Sequence, residues 1–154
     1  MNRKRKIIII AVVAVIALAA LGGFYFLKSN QKEEAIIYNN TIEGVGAFQS
    51  AGVENFTLSP IGDASQSHYM GSDNITQISV IKSASAINKT ISDAEKQNDS
   101  GEGHAVYKNT ANVGEYKGDV RYFSVLEDNG RFIFISTNDF NLTCMIVDSF
   151  EILN

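Results

Sequence analysis

The residues with the most evident chemistry are asparagines followed two positions later by serine or threonine. Such Asn-x-Ser/Thr triplets, without proline in the middle, are acceptors for N-linked glycans in exported proteins. Chance would produce about two in a chain of this composition, and six occur. We predict candidate N-glycosylation sites at Asn39, Asn55, Asn74, Asn88 and Asn98, with Asn98 the best because of its polar loop. Asn141 is the poorest, since it opens a helix expected to pack on a sheet.

Metal and nucleophile chemistry have weaker support. His68 and His104 are the only histidines, and neither has the close His or Cys spacing of a zinc site. Asp99 and Glu102 lie near His104, but this loop is too short for a calcium site and is interpreted as a solvated acidic loop. No Gly-x-Ser-x-Gly nucleophile motif occurs. We therefore predict no catalytic residue, no metal site and no bound cofactor.

Two further features favour structural roles. Gly44-Val45-Gly46 lacks the third glycine and the following helix of a phosphate-binding loop, which indicates a strand irregularity. Cys144 is the only cysteine, so no intramolecular disulfide can form. The apolar neighbours of Cys144 predict a small buried side chain rather than a reactive thiol.

The elements that would carry these residues begin with a basic and apolar N-terminal segment. Basic residues at 3–6 precede an apolar run over 7–27, which as a helix would extend about 31 Å and could cross a bilayer. Basic flanks stay on the cytoplasmic side. We predict a cytoplasmic segment at 1–6, a transmembrane helix at 7–27 in the lipid bilayer, a spacer at 28–34 and an extracytoplasmic domain at 35–154.

Two alternatives to a retained anchor stay open. Cleavage near Ala19, in the small-residue sequence Ala17-Leu18-Ala19, would release a secreted domain, although the apolar run continues well past the usual signal core. A pilin-like subunit would need a small residue after the last basic residue, but Ile7 follows Lys6. In each case the domain is expected outside the cytoplasm.

The charge distribution limits the class of partner. All 17 acidic residues but only nine of the 13 basic ones follow residue 27, so the exported part carries a net charge of about −8. An acidic surface argues against nucleic acid as a partner. The length of this part suits a single domain with one core.

Hydrophobic periodicity predicts strands followed by a helix. Interrupted strands are expected within 35–48 and a cleaner short strand over 53–58. Alternating apolar residues predict a further strand over 75–82. The period then changes, which predicts a helix from Ala84 to Gln97 with Ser83 as its N-cap. A polar, glycine-rich loop follows.

The strongest local signal is Asn129-Gly130, a pair that favours a type I′ hairpin turn between two apolar runs. This turn predicts that Val125 lies opposite Phe134 and Leu126 opposite Ile133. Because both faces of the hairpin are apolar, we expect both to be covered.

A second helix is predicted after the hairpin, capped within Thr137-Asn138-Asp139 and ending near Ser149. The order of elements indicates an α+β fold. We predict an N-terminal transmembrane helix followed by one antiparallel sheet domain flanked by helices.

The segment 118–153 resembles the closing portion of PsbP/Mog1-like domains. The shared features are an aromatic-rich hairpin (Tyr122-Phe123-Ser124-Val125 and Phe132-Ile133-Phe134-Ile135), the polar cap at Thr137-Asn138-Asp139 and a helix closing with Asp148-Ser149-Phe150. Small membrane-anchored members of this kind are surface proteins of archaea. The resemblance implies a fold and no catalytic role, and it does not extend to the N-terminal half.

These observations predict a membrane-anchored, non-enzymatic surface or envelope module that binds a protein or cell-envelope partner. A pilin-like assembly subunit, a secreted domain and a hydrolase without a local motif are the alternatives. A binding module should expose an apolar or aromatic patch, which we place around Phe48, Phe56 or Tyr69.

Overall fold

The computed structural model describes residues 34–111 and 117–154, in which short strands predominate. The strands are β1 (Ile37–Ile42), β2 (Gly46–Ala51), β3 (Thr57–Leu58), β4 (Gln66–Met70), β5 (Gln77–Ile81), β6 (Glu95–Lys96), β7 (Tyr107–Thr110), β8 (Val120–Asp128), β9 (Arg131–Thr137) and β10 (Glu151–Ile152). Two helices accompany them, α1 (Ala84–Ser92) and α2 (Phe140–Ser149).

The strands form two antiparallel sheets. Sheet A has three strands in the order β1-β2-β10, and sheet B has seven in the order β3-β4-β5-β9-β8-β7-β6. One apolar core unites the two sheets with α2, and its buried members are Ile42, Val45, Phe48, Ile78, Ile133, Ile135, Ile146 and Val147. Sheet A and α2 therefore cover the same face of sheet B.

The predicted α+β fold class is wrong. The described residues form a mainly β structure with two sheets, whereas one sheet flanked by helices was expected. Sheet A takes up part of the face that helices were expected to cover. The helix α1 also ends at Ser92, not at Gln97, because Glu95 and Lys96 pair with β7 as a short strand.

The predicted membrane span has no counterpart in this fold. Across residues 34–111 and 117–154, no helix is long and apolar enough to cross a membrane. A transmembrane helix is thus not an element of the described structure. The apolar run at 7–27 lies outside the described residues, as do the segment 1–6 and most of the spacer.

The predicted hairpin register is confirmed. Asp128 pairs with Arg131, Val125 with Phe134 and Leu126 with Ile133. Asn129 and Gly130 both have positive φ, at 49° and 78°, as a type I′ turn requires. Local turn chemistry therefore set the alignment of the central strands.

The two predicted N-caps are also confirmed. The Ser83 hydroxyl accepts a hydrogen bond from Ala86 N at 3.3 Å, and the Asp139 carboxylate accepts one from Leu142 N at 2.8 Å. Each bond satisfies one N–H that the first helical turn leaves unpaired.

The glycines at 44 and 46 belong to the connection between β1 and β2. Gly44 has a φ of +70°, and Gly46 lies so close to the Phe150 ring that a side chain there would collide with it. The segment Gly44-Val45-Gly46 therefore lies at the turn between two paired strands, and the predicted irregularity within one strand is wrong.

Arg131 joins three separate parts of the chain. Its Nη1 donates to Gly44 O at 2.6 Å, and its Nη2 donates to Leu153 O at 2.9 Å. Its Nη2 also lies 3.3 Å from the Asp128 carboxylate. The guanidinium therefore ties the tip of the β8–β9 hairpin to the β1–β2 turn and to the C-terminal residues.

We expect R131A to lower the free energy of unfolding by about 2–3 kcal/mol, because the hydrogen bonds and the ion pair of a half-buried cation are lost. The measurement is the urea midpoint of the full-length chain. K89A is the control, since the Lys89–Asp93 pair is exposed and its loss should leave the midpoint nearly unchanged. Equal midpoints for the two variants would contradict the role given to Arg131.

Candidate functional site

An open groove of about 480 Å³ lies beside sheet A and the end of α2. We call it the polar groove, and the residues that line it are Asn39, Asn40, Thr41, Ala47, Phe48, Gln49, Asp148, Ser149, Phe150 and Glu151. Its volume falls in the range of small-molecule sites in proteins.

Strand alternation brings the polar residues of the groove to one face of sheet A. Thr41 is opposite Ala47, Ala47 is opposite Glu151, and Asn39 is opposite Gln49. Directly opposed residues point to the same face. The intervening residues of β1 and β2 are buried on the other face. The packing of that face against the core therefore fixes the position of the groove.

Hydrogen bonds hold the groove in shape. Gln49 Nε2 donates to Asn39 Oδ1 at 3.1 Å across the two strands. Gln49 N donates to the Ser149 hydroxyl at 2.9 Å, which links β2 to the last turn of α2. Two strands and a helix thus hold amide and hydroxyl groups together in the groove.

Asp148 connects the groove to the glycine-rich loop. The Ser100 hydroxyl donates to its carboxylate, as does Glu102 N at 3.3 Å. Ser100 in turn accepts a bond from His104 N at 3.0 Å. The predicted acidic loop is therefore folded around a helix-end carboxylate.

The lining of the groove determines what it can bind. It contains two carboxylates, Asp148 and Glu151, together with amides and hydroxyls, and no Lys or Arg. Carboxylates accept hydrogen bonds, while amides and hydroxyls both donate and accept. The groove therefore suits a ligand rich in hydroxyl groups or one with a positive charge, and it disfavours anions.

His68 takes part in a polar cluster elsewhere, on sheet B. Its Nδ1 lies 2.8 Å from the Ser79 hydroxyl and 2.9 Å from Gln77 Nε2. A serine beside a histidine can act as a nucleophile, but Ser79 is only 1% exposed and Gln77 is neutral. The cluster therefore satisfies buried polar groups and offers no substrate access.

The two histidines do not share a site. His68 lies on β4 and His104 precedes β7, and four strand spacings, roughly 19 Å, separate these strands. Among the residues that the structure describes, no group of three or more His, Cys, Asp or Glu is placed to hold a metal.

Cys144 is half-buried rather than fully buried. Burial raises the pKa of its thiol above the usual value, and the negative charges of Asp148 and Asp139 raise it further. A thiol that stays protonated is a poor nucleophile.

The prediction of an exposed apolar patch around Phe48, Phe56 or Tyr69 is wrong. Phe48 is buried in the core, and Phe56 and Tyr69 pack against it. Large exposed apolar side chains occur instead at Ile36, Ile37, Leu58, Ile61 and Ile75.

All six sequon asparagines are exposed. Asn39 lies on β1, Asn88 on α1 and Asn141 in the first turn of α2, and Asn55, Asn74 and Asn98 lie in loops. Asn39 is also the only one that lines the polar groove. The prediction of modification itself stays a prediction.

The serine or threonine of each Asn-x-Ser/Thr triplet differs in its exposure to solvent. Thr76, Ser100 and Thr143, which belong to the sequons of Asn74, Asn98 and Asn141, are buried. Thr76 donates to the Asp73 carboxylate and Ser100 to that of Asp148. Thr57 is exposed and Thr90 is partly so. In the folded chain, Asn55 and Asn88 therefore have the most accessible sequons outside the groove.

Sequence reasoning missed the polar groove. No local sequence motif includes Gln49, Asp148 or Glu151. In the sequence, β2 and the end of α2 are about 100 positions apart. Of the sequence-predicted sites, only Asn39 lies there. Alternation within β1 could have placed Asn39 and Thr41 together, but not the residues of α2.

Asp73 gives the turn before β5 a pH dependence. Burial of Asp73 raises the pKa of its carboxyl. Three hydrogen bonds to the carboxylate oppose this effect, from the Thr76 hydroxyl at 2.7 Å, from Thr76 N at 2.9 Å and from Ile75 N at 3.0 Å. The hydrogen bonds outweigh burial, so the pKa of Asp73 is lowered. Because the pKa of Asp73 is lower in the folded chain, its ionised carboxylate stabilises the fold at pH values above the unfolded pKa of about 3.9. This stabilisation is lost as the pH falls through the pKa of the folded state.

We therefore expect D73N to be less stable than the wild type near pH 7, with a difference that shrinks below about pH 4. Chemical denaturation of both chains between pH 3 and pH 7 measures this. E43Q, in an exposed turn, is the control. A D73N difference that stays constant or grows toward pH 3 would rule out the charged carboxylate as the stabilising form.

If glycans are added to the folded chain, we expect higher occupancy at Asn55 and Asn88 than at Asn74 and Asn98, because the sequon requires its hydroxyl residue. Glycopeptide mass spectrometry of protein from its native cells measures the occupancy of each site. Higher occupancy at Asn74 or Asn98 would show that hydroxyl access in the folded chain does not govern modification.

Comparisons with known proteins identify no relative. No protein-family model matches the chain, and neither does any curated protein or any solved structure. The resemblance of 118–153 to PsbP/Mog1-like domains therefore stays a prediction. Function has to be argued from the geometry of this chain.

Proposed function

We propose that the chain is a non-enzymatic extracytoplasmic binding module whose ligand site is the polar groove. The basic and apolar N-terminal sequence supports a location at the outer side of a membrane. The observation that carries the proposal is the groove itself, where residues from β1, β2, β10 and α2 converge on about 480 Å³ of open space.

The ligand that we propose is a neutral, polyhydroxylated one, such as a glycan of the cell envelope. The amides of Asn39 and Gln49 and the carboxylates of Asp148 and Glu151 are planar groups that can bond to neighbouring hydroxyls. The acidic lining and the net charge of about −8 disfavour anionic ligands.

A binding role also agrees with the hydrogen bonds that the serine, histidine and aspartate side chains make within the fold. Ser100 and Asp148 bond to each other, and Ser79 is buried beneath His68 and Gln77. In the described residues these pairs hold loops and strands, which favours binding over hydrolysis.

The test is titration of the full-length chain in detergent micelles with neutral disaccharides, namely cellobiose, maltose, lactose and chitobiose. Binding is measured by saturation-transfer NMR and calorimetry. We expect the double variant N39A/Q49A to weaken binding about tenfold, since each lost hydrogen bond contributes about 0.5–1.5 kcal/mol.

The matched control is N109A, an exposed asparagine on β7 of sheet B, which should bind as the wild type does. A heparin disaccharide serves as the anionic probe. The proposal fails if none of the four neutral disaccharides binds, if N39A/Q49A binds them unchanged, or if the anionic probe binds more tightly than they do.

A further inference from the structure

Within residues 34–111 and 117–154, the two sheets have four edges, and these edges are not alike. β3 and β6 at the edges of sheet B and β10 at one edge of sheet A have two residues each, and β6 is Glu95–Lys96. Short or charged edge strands prevent pairing with another chain. The remaining edge, β1, has six residues and contains no charge and no proline.

Hydrogen bonding shows which groups of β1 face outward. Gly52 N donates to Ile36 O at 2.8 Å, so even-numbered residues of β1 and β2 bond to each other. Leu153 N donates to Val45 O at 3.0 Å, so odd-numbered residues of β2 face β10. By the same alternation, the backbone N–H and C=O groups that point away from β2 belong to Ile37, Asn39 and Thr41.

We propose that β1 pairs with β1 of a second copy of this chain. A two-fold axis makes this pairing antiparallel and isologous. Centred on Asn39, it places Asn39 opposite the partner's Asn39 and Ile37 opposite the partner's Thr41. Every outward backbone group of the three residues then gains a partner, and the two sheets A become one six-stranded sheet.

The lack of charge on β1 lets a second copy approach at this edge. The exported part carries about −8, so two copies repel each other across most surfaces, but β1 is uncharged along its whole length. Ile36 and Ile37, which are 66% and 47% exposed, would be covered in part by the pairing.

The ends of β1 determine how strong the pairing is. Glu34 and the partner's Glu43 come close in this register, so salt should strengthen association by screening them. A single strand pair is small beside a standard interface of about 1,200–2,000 Å². The dimer is therefore reversible and depends on concentration.

Pairing would also extend the polar groove. Asn39 and Thr41 line it, and the partner's Asn39 would continue the same face across the axis. This consequence rests on the proposed function, whereas the pairing itself does not. The following experiments contain no disaccharide, so their failure is distinguishable from a failure of ligand binding.

The first experiment is oxidative cross-linking of the full-length chain in detergent micelles, produced in a host without N-glycosylation. Opposed residues of a bonded pair lie about 5.5 Å apart between Cα atoms, within disulfide range. We expect N39C to give at least about tenfold more cross-linked dimer than Q49C, whose two copies would lie roughly 15 Å apart. The wild type, with Cys144 alone, gives the background.

A mixture of two variants tests the register. I37C and T41C should cross-link efficiently only when the two chains are mixed, because each residue lies opposite the other in the partner. Alone, each pair of identical positions is separated by about four residues along the strand, roughly 14 Å. Cross-linking of I37C alone at the mixed yield would overturn this register.

Light scattering with size-exclusion chromatography completes the test. N39K places two ammonium groups opposite each other and should abolish the concentration-dependent dimer, whereas the matched control Q49K, on the same face one strand inward, should retain it. The proposal is overturned by a wild-type chain that stays monomeric at all concentrations and salt levels, by equal cross-linking of N39C and Q49C, or by a dimer that N39K leaves intact.

Discussion

The buried contact of α2 with both sheets is the constraint on which the rest of the structure depends. Ile146 and Val147 are almost fully buried in one cluster with Ile42 and Phe48 of sheet A and with Ile133 of sheet B. A sheet of three short strands has too little apolar area to persist alone. Sheet A therefore exists only against α2 and sheet B, and the polar groove, whose walls are sheet A and the last turn of α2, depends on the same contact.

What could be predicted from the sequence was local. Asn129-Gly130 specified the turn, and the turn specified the register of β8 and β9 because a two-residue hairpin leaves only one alignment. Ser83 and Asp139 were recognisable as caps for a similar reason, since each bonds to an N–H three residues on. These features need no information from distant residues.

The prediction of fold class failed where distant pairing decides the structure. β4 (Gln66–Met70) is polar and has no alternating pattern, and it becomes a strand because β5 offers a partner along its full length. Glu95–Lys96 continued a helical pattern but pairs with β7. Two-residue strands such as β3 and β10 carry almost no periodic signal. A sheet assembled from such pieces resembles loops between helices when only the sequence is considered.

Asn39 shows how the proposed roles of sheet A constrain one another. It is a sequon asparagine, it lines the polar groove, and it stands at the centre of the uncharged edge strand β1. A glycan is far larger than an amide side chain, so on Asn39 it would fill the groove and keep two β1 strands apart. Glycosylation at Asn39 is thus incompatible with both proposed interactions, whereas glycans on Asn55 or Asn88 attach outside the groove and outside β1. Because one side chain serves the groove and the edge, a chain without a glycan on Asn39 would have both surfaces open.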